Sequence, residues 1–147
     1  MIKKNFIIIF LIFILILAIS GCISPQKNQI SIIRRCIVND AKMYIGTKYK
    51  YGGTNPSGFD CSGFVQFIYK KNGISIPRTV MEMERMAKRV KNPKIGDIVT
   101  FDDPLHVGIL IGNNKFIHSS TKKGVTIGKL SEKWYREKIR GYFSFFF

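Results

Sequence analysis

The apolar residues of this chain change their period at Gly96, and that change limits the folds open to it. Before Gly96 they recur at helical spacing. Ile30, Ile33, Ile37, Ala41 and Tyr44 form one stripe of about four turns, which Gly46 stops. After Gly96 come short strand-like runs: GDIVTF, HVGILI, KFIHSS and GVTIGKL. Gly112-Asn113-Asn114 joins the second run to the third with a hairpin signal. A short helical piece is predicted around Ser131 to Lys138, and IRGYFSFFF closes the chain as a strand. Helices first and strands after predict an α+β fold, with N-terminal helices packed on an antiparallel β-sheet rather than alternating βα units. The Phe-rich end needs a buried place, because such an edge left exposed invites aggregation.

Between these halves GTKYKYGGTNPSGF reads as a loop, being rich in Gly, Asn, Pro and Ser. Asp60 can cap a helix running from about Cys61 to Lys71. Cys61, Phe64 or Val65, and Ile68 share its inner face, and Asn72-Gly73 ends it. Thr79 and Glu82 fit a capping box. The helix they open is expected to turn Val80, Met83, Ala87 and Val90 inward and to end before Pro93, with its methionines as core filler.

The N-terminus reads differently. Lys3 and Lys4 precede an apolar run from Phe6 to Ile19, and the small residues Ser20 and Gly21 come next. This order predicts an export signal over residues 1–21. The run is shorter than the roughly 20 residues of a spanning helix, although a retained anchor is the alternative. Ile19-Ser20-Gly21-Cys22 resembles the lipobox of bacterial lipoproteins, which implies cleavage before Cys22 and acyl chains on it. Residues 22–29 then form a tether and residues 30–147 one domain. The whole chain carries a net charge of +15, and losing Lys3 and Lys4 leaves about +13. Such a charge favours polyanions or anionic lipid surfaces. For an exported, tethered chain, wall polymers and headgroups fit better than nucleic acid, and a generally basic composition is the plainer explanation.

With Cys22 lipidated, Cys36 and Cys61 are left. They pair in an oxidising compartment, or Cys36 is a packed thiol on the apolar face of the first helix, which is the preferred reading. Cys61 has the marks of a nucleophile. A free thiol has a pKa of about 8.5, and the partial positive charge and unpaired N–H groups of a helix N-terminus favour its anion. The helix tip is therefore expected to lower the Cys61 pKa. Gly58 allows a tight backbone approach, and Ser62-Gly63 is expected to leave room for a substrate carbonyl. A thiolate needs a base beside it, and imidazole serves near neutral pH. The chain has 2 histidines, His106 and His118, both on predicted strands.

The run YKYGGTNPSGFDCSGFVQFIY, then IPRT, GDIVTF and HVGILIGNNKFIHSS, in this order, resembles the NlpC/P60 family of bacterial cell-wall cysteine peptidases. The similarity spans nearly all of residues 30–147 and implies a papain-like α+β core. It implies that Cys61 is the nucleophile, His106 the general base and His118 the polar residue that orients it. Tyr49 is implied as the oxyanion donor, with Tyr51 the lesser candidate that packs instead. Asp60 and Ser62 are implied as substrate-groove residues, with Asp60 equally readable as a plain helix cap. Arg78 is better read as a structural salt bridge. Met83 stands where members often carry Gln. No metal or cofactor is implied. A metal site built from Cys61, His106 and His118 is disfavoured by their long gaps.

The implied substrate is the peptide stem of peptidoglycan, cut between γ-D-glutamyl and a diamino acid by a membrane-anchored monomer of the cell envelope. Residue 23 is Ile rather than Asp, which in a two-membrane envelope implies the outer membrane. The alternatives are an amidase or acyltransferase on the same scaffold, or a wall-binding module without catalysis.

Overall fold

The computed structural model describes residues 25–147. The expected export signal, Cys22 and the start of the expected tether lie outside the described residues. The chain divides into two units, Met1–Ile30 and Ser31–Phe147. The described part of the first, residues 25–30, is helical. The second holds the sheet and every candidate catalytic residue.

Helix α1 (Pro25–Met43) includes the described part of the segment expected as tether. The predicted stripe holds: Ile37 and Ala41 are fully buried, with Ile33 and Tyr44 packed beside them. Cys36 does not belong to it. This thiol is free and exposed, because the residue before Ile37 points about 100° away around the helix. The buried neighbour is instead Arg34, whose Nη1 donates to Asp97 Oδ1 at 2.7 Å and to the Ile95 carbonyl at 2.9 Å.

The loop after α1 contains a small hairpin, β1 (Thr54–Asn55) and β2 (Gly58–Phe59). Phe59 is fully buried, 5.5 Å from the ring of Phe64 and 5.1 Å from that of Phe67. Helix α2 (Cys61–Lys71) buries both Phe64 and Val65, together with Ile68 and Tyr69. The Tyr69 hydroxyl donates to the Gly96 carbonyl, fastening the helix to the start of the sheet. Helix α3 (Val80–Met86) has the predicted capping box between Thr79 and Glu82. It is shorter than expected. After Ala87 the chain becomes β3 (Lys88–Arg89), which pairs with Ser144 and Phe143. An open sheet edge offered backbone partners here, and pairing with it prevailed over continuing the helical stripe to Val90.

The remaining strands are β4 (Ile98–Phe101), β5 (His106–Gly112), β6 (Lys115–Ser120), β7 (Gly124–Lys129) and β8 (Ile139–Ser144), with the short helix α4 (Lys133–Arg136) before the last. They form an antiparallel sheet of order β3-β8-β4-β5-β6-β7. The β5–β6 turn has Asn113 and Asn114 at φ 50° and 59°, the left-handed pair that suits the twist of a hairpin.

Both sheet faces are covered. On one, Ile98, Val107, Ile109, Ile117 and Val125 pack with the residues of α1 and α2. On the other, Val99, Phe101, Leu110 and Phe116 pack with Tyr135, Ile139 and Tyr142. Truncating one of these side chains to Ala costs about 2–5 kcal/mol. The apolar C-terminus is buried in part: Phe143 joins the core, Phe145 packs on Tyr69, the Arg34 guanidinium lies 4.1 Å from the Phe146 ring centre, and Phe147 is exposed.

Candidate active site

Asp60 makes the tip of α2. Its Oδ1 accepts the Gly63 N–H at 2.6 Å, the N-cap bond that starts the helix with Cys61 as first residue. The same carboxylate takes Arg78 Nη1 at 3.1 Å and a second bond from Nη2 to Oδ2. Arg78 Nη1 also donates to Ser62 Oγ at 2.7 Å. Burial would raise the Asp60 carboxyl, but the bonds from Arg78 and Gly63 outweigh it and hold the group below its ordinary value. Arg78 therefore forms the salt bridge expected of it. The groups expected to line a substrate groove, Asp60 and Ser62, are engaged with each other and with this arginine.

Gly63 does not leave the expected room for a substrate. A Cβ there would lie 2.1 Å from the Gly53 carbonyl oxygen, so the space is filled by the loop that presses on the helix tip. That contact brings the Tyr49 loop against Cys61. Tyr49 is half-buried, and its phenol is pushed up first by burial and then by the neighbouring Cys61 and Asp60. Tyr51, expected to pack, is 90% exposed.

Across from the helix tip, β5 begins with His106, and the Cys61 sulfur meets the backbone N–H of the next residue, Val107. Ser119 Oγ on β6 donates to the Phe59 carbonyl at 2.7 Å, tying the strand of His118 to the segment just before Cys61. The two imidazoles meet directly: His106 Nε2 is 2.7 Å from His118 Nδ1, with the rings at 89°. Gly108 makes this possible. A Cβ at that position would stand 2.5 Å from the Phe116 ring and 3.3 Å from the Cβ of His118.

The expected ionisation is reversed. Burial pushes the Cys61 thiol up, with a further push from Asp60, and the N–H groups of Ser62, Val107 and Cys61 itself only partly oppose it. Burial also drops His106 to about 4. His118, 2% exposed, falls to about 3 through burial, then His106 and Lys123. Burial thus favours the neutral form of each of the three groups, opposite to the lowering expected of Cys61 at a helix tip. The helix tip does favour the anion, but the desolvation that the packed loop imposes is the larger effect.

Sequence reasoning missed one member. Tyr135 on α4 places its hydroxyl 3.2 Å from His118 Nε2. The signal for it was Trp134-Tyr135 inside the charged stretch SEKWYREK, an aromatic pair that needs an apolar face to rest on. A cavity of about 290 Å³ opens beside the cluster, lined by Pro104, His106, His118, Lys122, Trp134 and Tyr135 among others. Among the described residues, no group of three or more His, Cys, Asp or Glu is placed to hold a metal ion.

The profile of the NlpC/P60 family matches residues 46–143, which hold all of these groups. The chain belongs to the NlpC/P60 family. Among similar proteins, the "Probable endopeptidase NlpC homolog" of Haemophilus influenzae is 41% identical over 95 residues, covering 63% of this chain and 52% of that protein. The "Murein DD-endopeptidase MepS/Murein LD-carboxypeptidase" of Escherichia coli K12 is 40% identical over 99 residues, covering 63% and 53%. The chain thus spans about half the length of these relatives. A crystal structure of an NlpC/P60 family protein from Bacillus cereus superposes with a TM-score of 0.73 at 33% identity, covering 77% of this chain and 40% of that one. The α+β architecture of this NlpC/P60 domain is therefore that of solved members.

Proposed function

We propose that the chain is a membrane-anchored cysteine endopeptidase that hydrolyses an amide bond in peptidoglycan stem peptides, between γ-D-glutamyl and a diamino acid. Cys61 is the nucleophile, His106 the general base, and His118 the residue that orients it. The observation that carries this reading is the 2.7 Å contact between His106 and His118 at the end of the sheet that faces Cys61. Family membership and the name of the Haemophilus influenzae relative support the reaction class, and the name of the Escherichia coli relative, which contains murein, supplies the substrate class.

The chemistry proceeds from neutral groups. As the sulfur attacks the carbonyl carbon, its proton passes to His106, which is free to take it at neutral pH because its pKa is about 4. The C–S bond forms and the carbonyl oxygen becomes an oxyanion. Backbone N–H at the helix tip and the Tyr49 hydroxyl stabilise it, each such donor contributing roughly 3–4 kcal/mol. His106 then gives its proton to the leaving amine. In the second half it deprotonates water, which releases the acyl group and restores the thiol. His118 holds the His106 ring through Nδ1 during both transfers. Acyl chains on Cys22 tether the domain to the membrane, and Asp60 and Ser62 border the groove through the Arg78 network.

Digestion of purified peptidoglycan of known stem composition, read by mass spectrometry, tests the reading. It predicts fragments ending in γ-D-glutamate. Fragments cut at a DD or LD bond would move the scissile position to that named for the E. coli relative, and separation of peptide from glycan would make it an amidase. For the anchor, labelling cells with a palmitate analogue should mark the wild type, and Cys22→Ala should lose both label and membrane association.

A further inference from the structure

His118 has two ring nitrogens and both are engaged. Nδ1 faces His106 Nε2 at 2.7 Å, and Nε2 faces the Tyr135 hydroxyl at 3.2 Å. A neutral imidazole carries one N–H and one lone pair, so this row of groups can be ordered in only two directions. If the tyrosine donates to Nε2, the His118 proton sits on Nδ1 and points at His106 Nε2. His106 must then hold its own proton on Nδ1, the nitrogen left for the thiol, and cannot accept there. If the tyrosine oxygen accepts from His118 Nε2–H, Nδ1 of His118 accepts from His106 Nε2–H. Only this order leaves His106 Nδ1 with a free lone pair.

We propose that Tyr135 is a positioning residue of the site: its oxygen accepts the His118 Nε2–H and so fixes the tautomers of both histidines in the order that leaves His106 a base. The phenol is built into this place. Its ring lies 4.8 Å from Phe116 and 5.4 Å from Phe101, and its plane stands at 82° to that of His118. A Cβ at residue 128 would come within 3.2 Å of the Tyr135 ring, so Gly128 completes the seat. Tyr135 also borders the 290 Å³ cavity. The hydroxyl proton can point into that space, leaving the oxygen's lone pairs for His118. Burial, then Glu132, pushes the phenol up, so it stays a neutral acceptor with a proton of its own.

The inference rests on the peptidase reading for its effect on rate, but the tautomer itself can be tested without substrate. Nitrogen NMR of the full chain distinguishes protonated from unprotonated ring nitrogens at pH 7. The wild type should show His118 protonated at Nε2 and bare at Nδ1. In Tyr135→Phe, which keeps the ring packing, that preference should be lost to a mixture of tautomers. On peptidoglycan fragments the variant should lose up to roughly 10-fold in kcat at unchanged KM, the equivalent of one hydrogen bond. A wild-type His118 protonated at Nδ1 overturns the proposal, even where Tyr135→Phe does not fold. So does a folded variant with an unchanged tautomer and unchanged kcat. Full activity in Cys61→Ala would instead overturn the peptidase reading and leave the tautomer result standing.

Discussion

Two buried polar clusters sit in this domain, and they solve burial in opposite ways. At one, Arg34 meets Asp97 at 2.7 Å with side chains only 10% and 2% exposed, and its Nη2 donates to Ser144 Oγ at 3.1 Å. Charge is kept inside by pairing it. At the other, His106, His118 and Tyr135 form a row of neutral groups. Lys123, and His106 whenever it is protonated, disfavour a cation on His118. Here charge is kept out. An ion pair whose guanidinium also donates to the Ile95 carbonyl and the Ser144 hydroxyl ties α1 to the sheet and the C-terminal strand. A row of uncharged imidazoles can take a proton and return it. One cluster therefore holds the chain together, and the other is the one proposed to react.

The contrast is tested hardest at the second cluster. Cys61→Ala and His106→Ala should each lower kcat on peptidoglycan by about 10³-fold or more, with unchanged circular dichroism, and His118→Ala should be milder. Asp97→Ala should do the reverse. It leaves the Arg34 guanidinium buried without its partner, at a cost of about 3–5 kcal/mol, read by urea unfolding, while kcat of the folded fraction is unchanged. Next comes pH. Both histidines have folded values below the unfolded value of about 6.5, so the unfolded chain binds more protons. Their contribution to stability is whole above about 6.5 and is lost as pH falls through about 4 for His106 and about 3 for His118. Melting temperature should fall over that window, and His118→Gln should flatten the fall. The smallest effect belongs to Arg78→Ala. Its side chain is 34% exposed, so solvent screens the pair, and about 1 kcal/mol or less of stability is expected to go.

The features legible in the sequence are those set by near neighbours. The cap at Asp60, the capping box at Thr79, the Asn113-Asn114 turn and the strand Lys115–Ser120 all arise from residues a few positions apart. Cys61, His106 and His118 are legible by residue type and order, and the fold brings the two imidazoles together and the cysteine beside Val107. What escapes depends on distant partners. β3 exists because β8 has an open edge, and Arg34 is buried because Asp97 lies 63 residues away in the chain. Tyr135 reaches His118 through packing on Phe116, a contact between strand and helix that no local spacing encodes. The protonation of Cys61 escapes for the same cause. A helix tip is visible in a sequence, but the loop that desolvates it is not.

The difference between the two clusters stands or falls on whether the reactive row rests uncharged, with the sulfur still protonated until it attacks. A histidine NMR titration of the wild type and of Cys61→Ala, from pH 8 downward, decides this. Both rings should be neutral at pH 7 in both proteins, with midpoints near 4 for His106 and near 3 for His118. An imidazolium at His106 at pH 7 in the wild type that disappears in Cys61→Ala would contradict it, since only a preformed ion pair with the thiolate gives that difference.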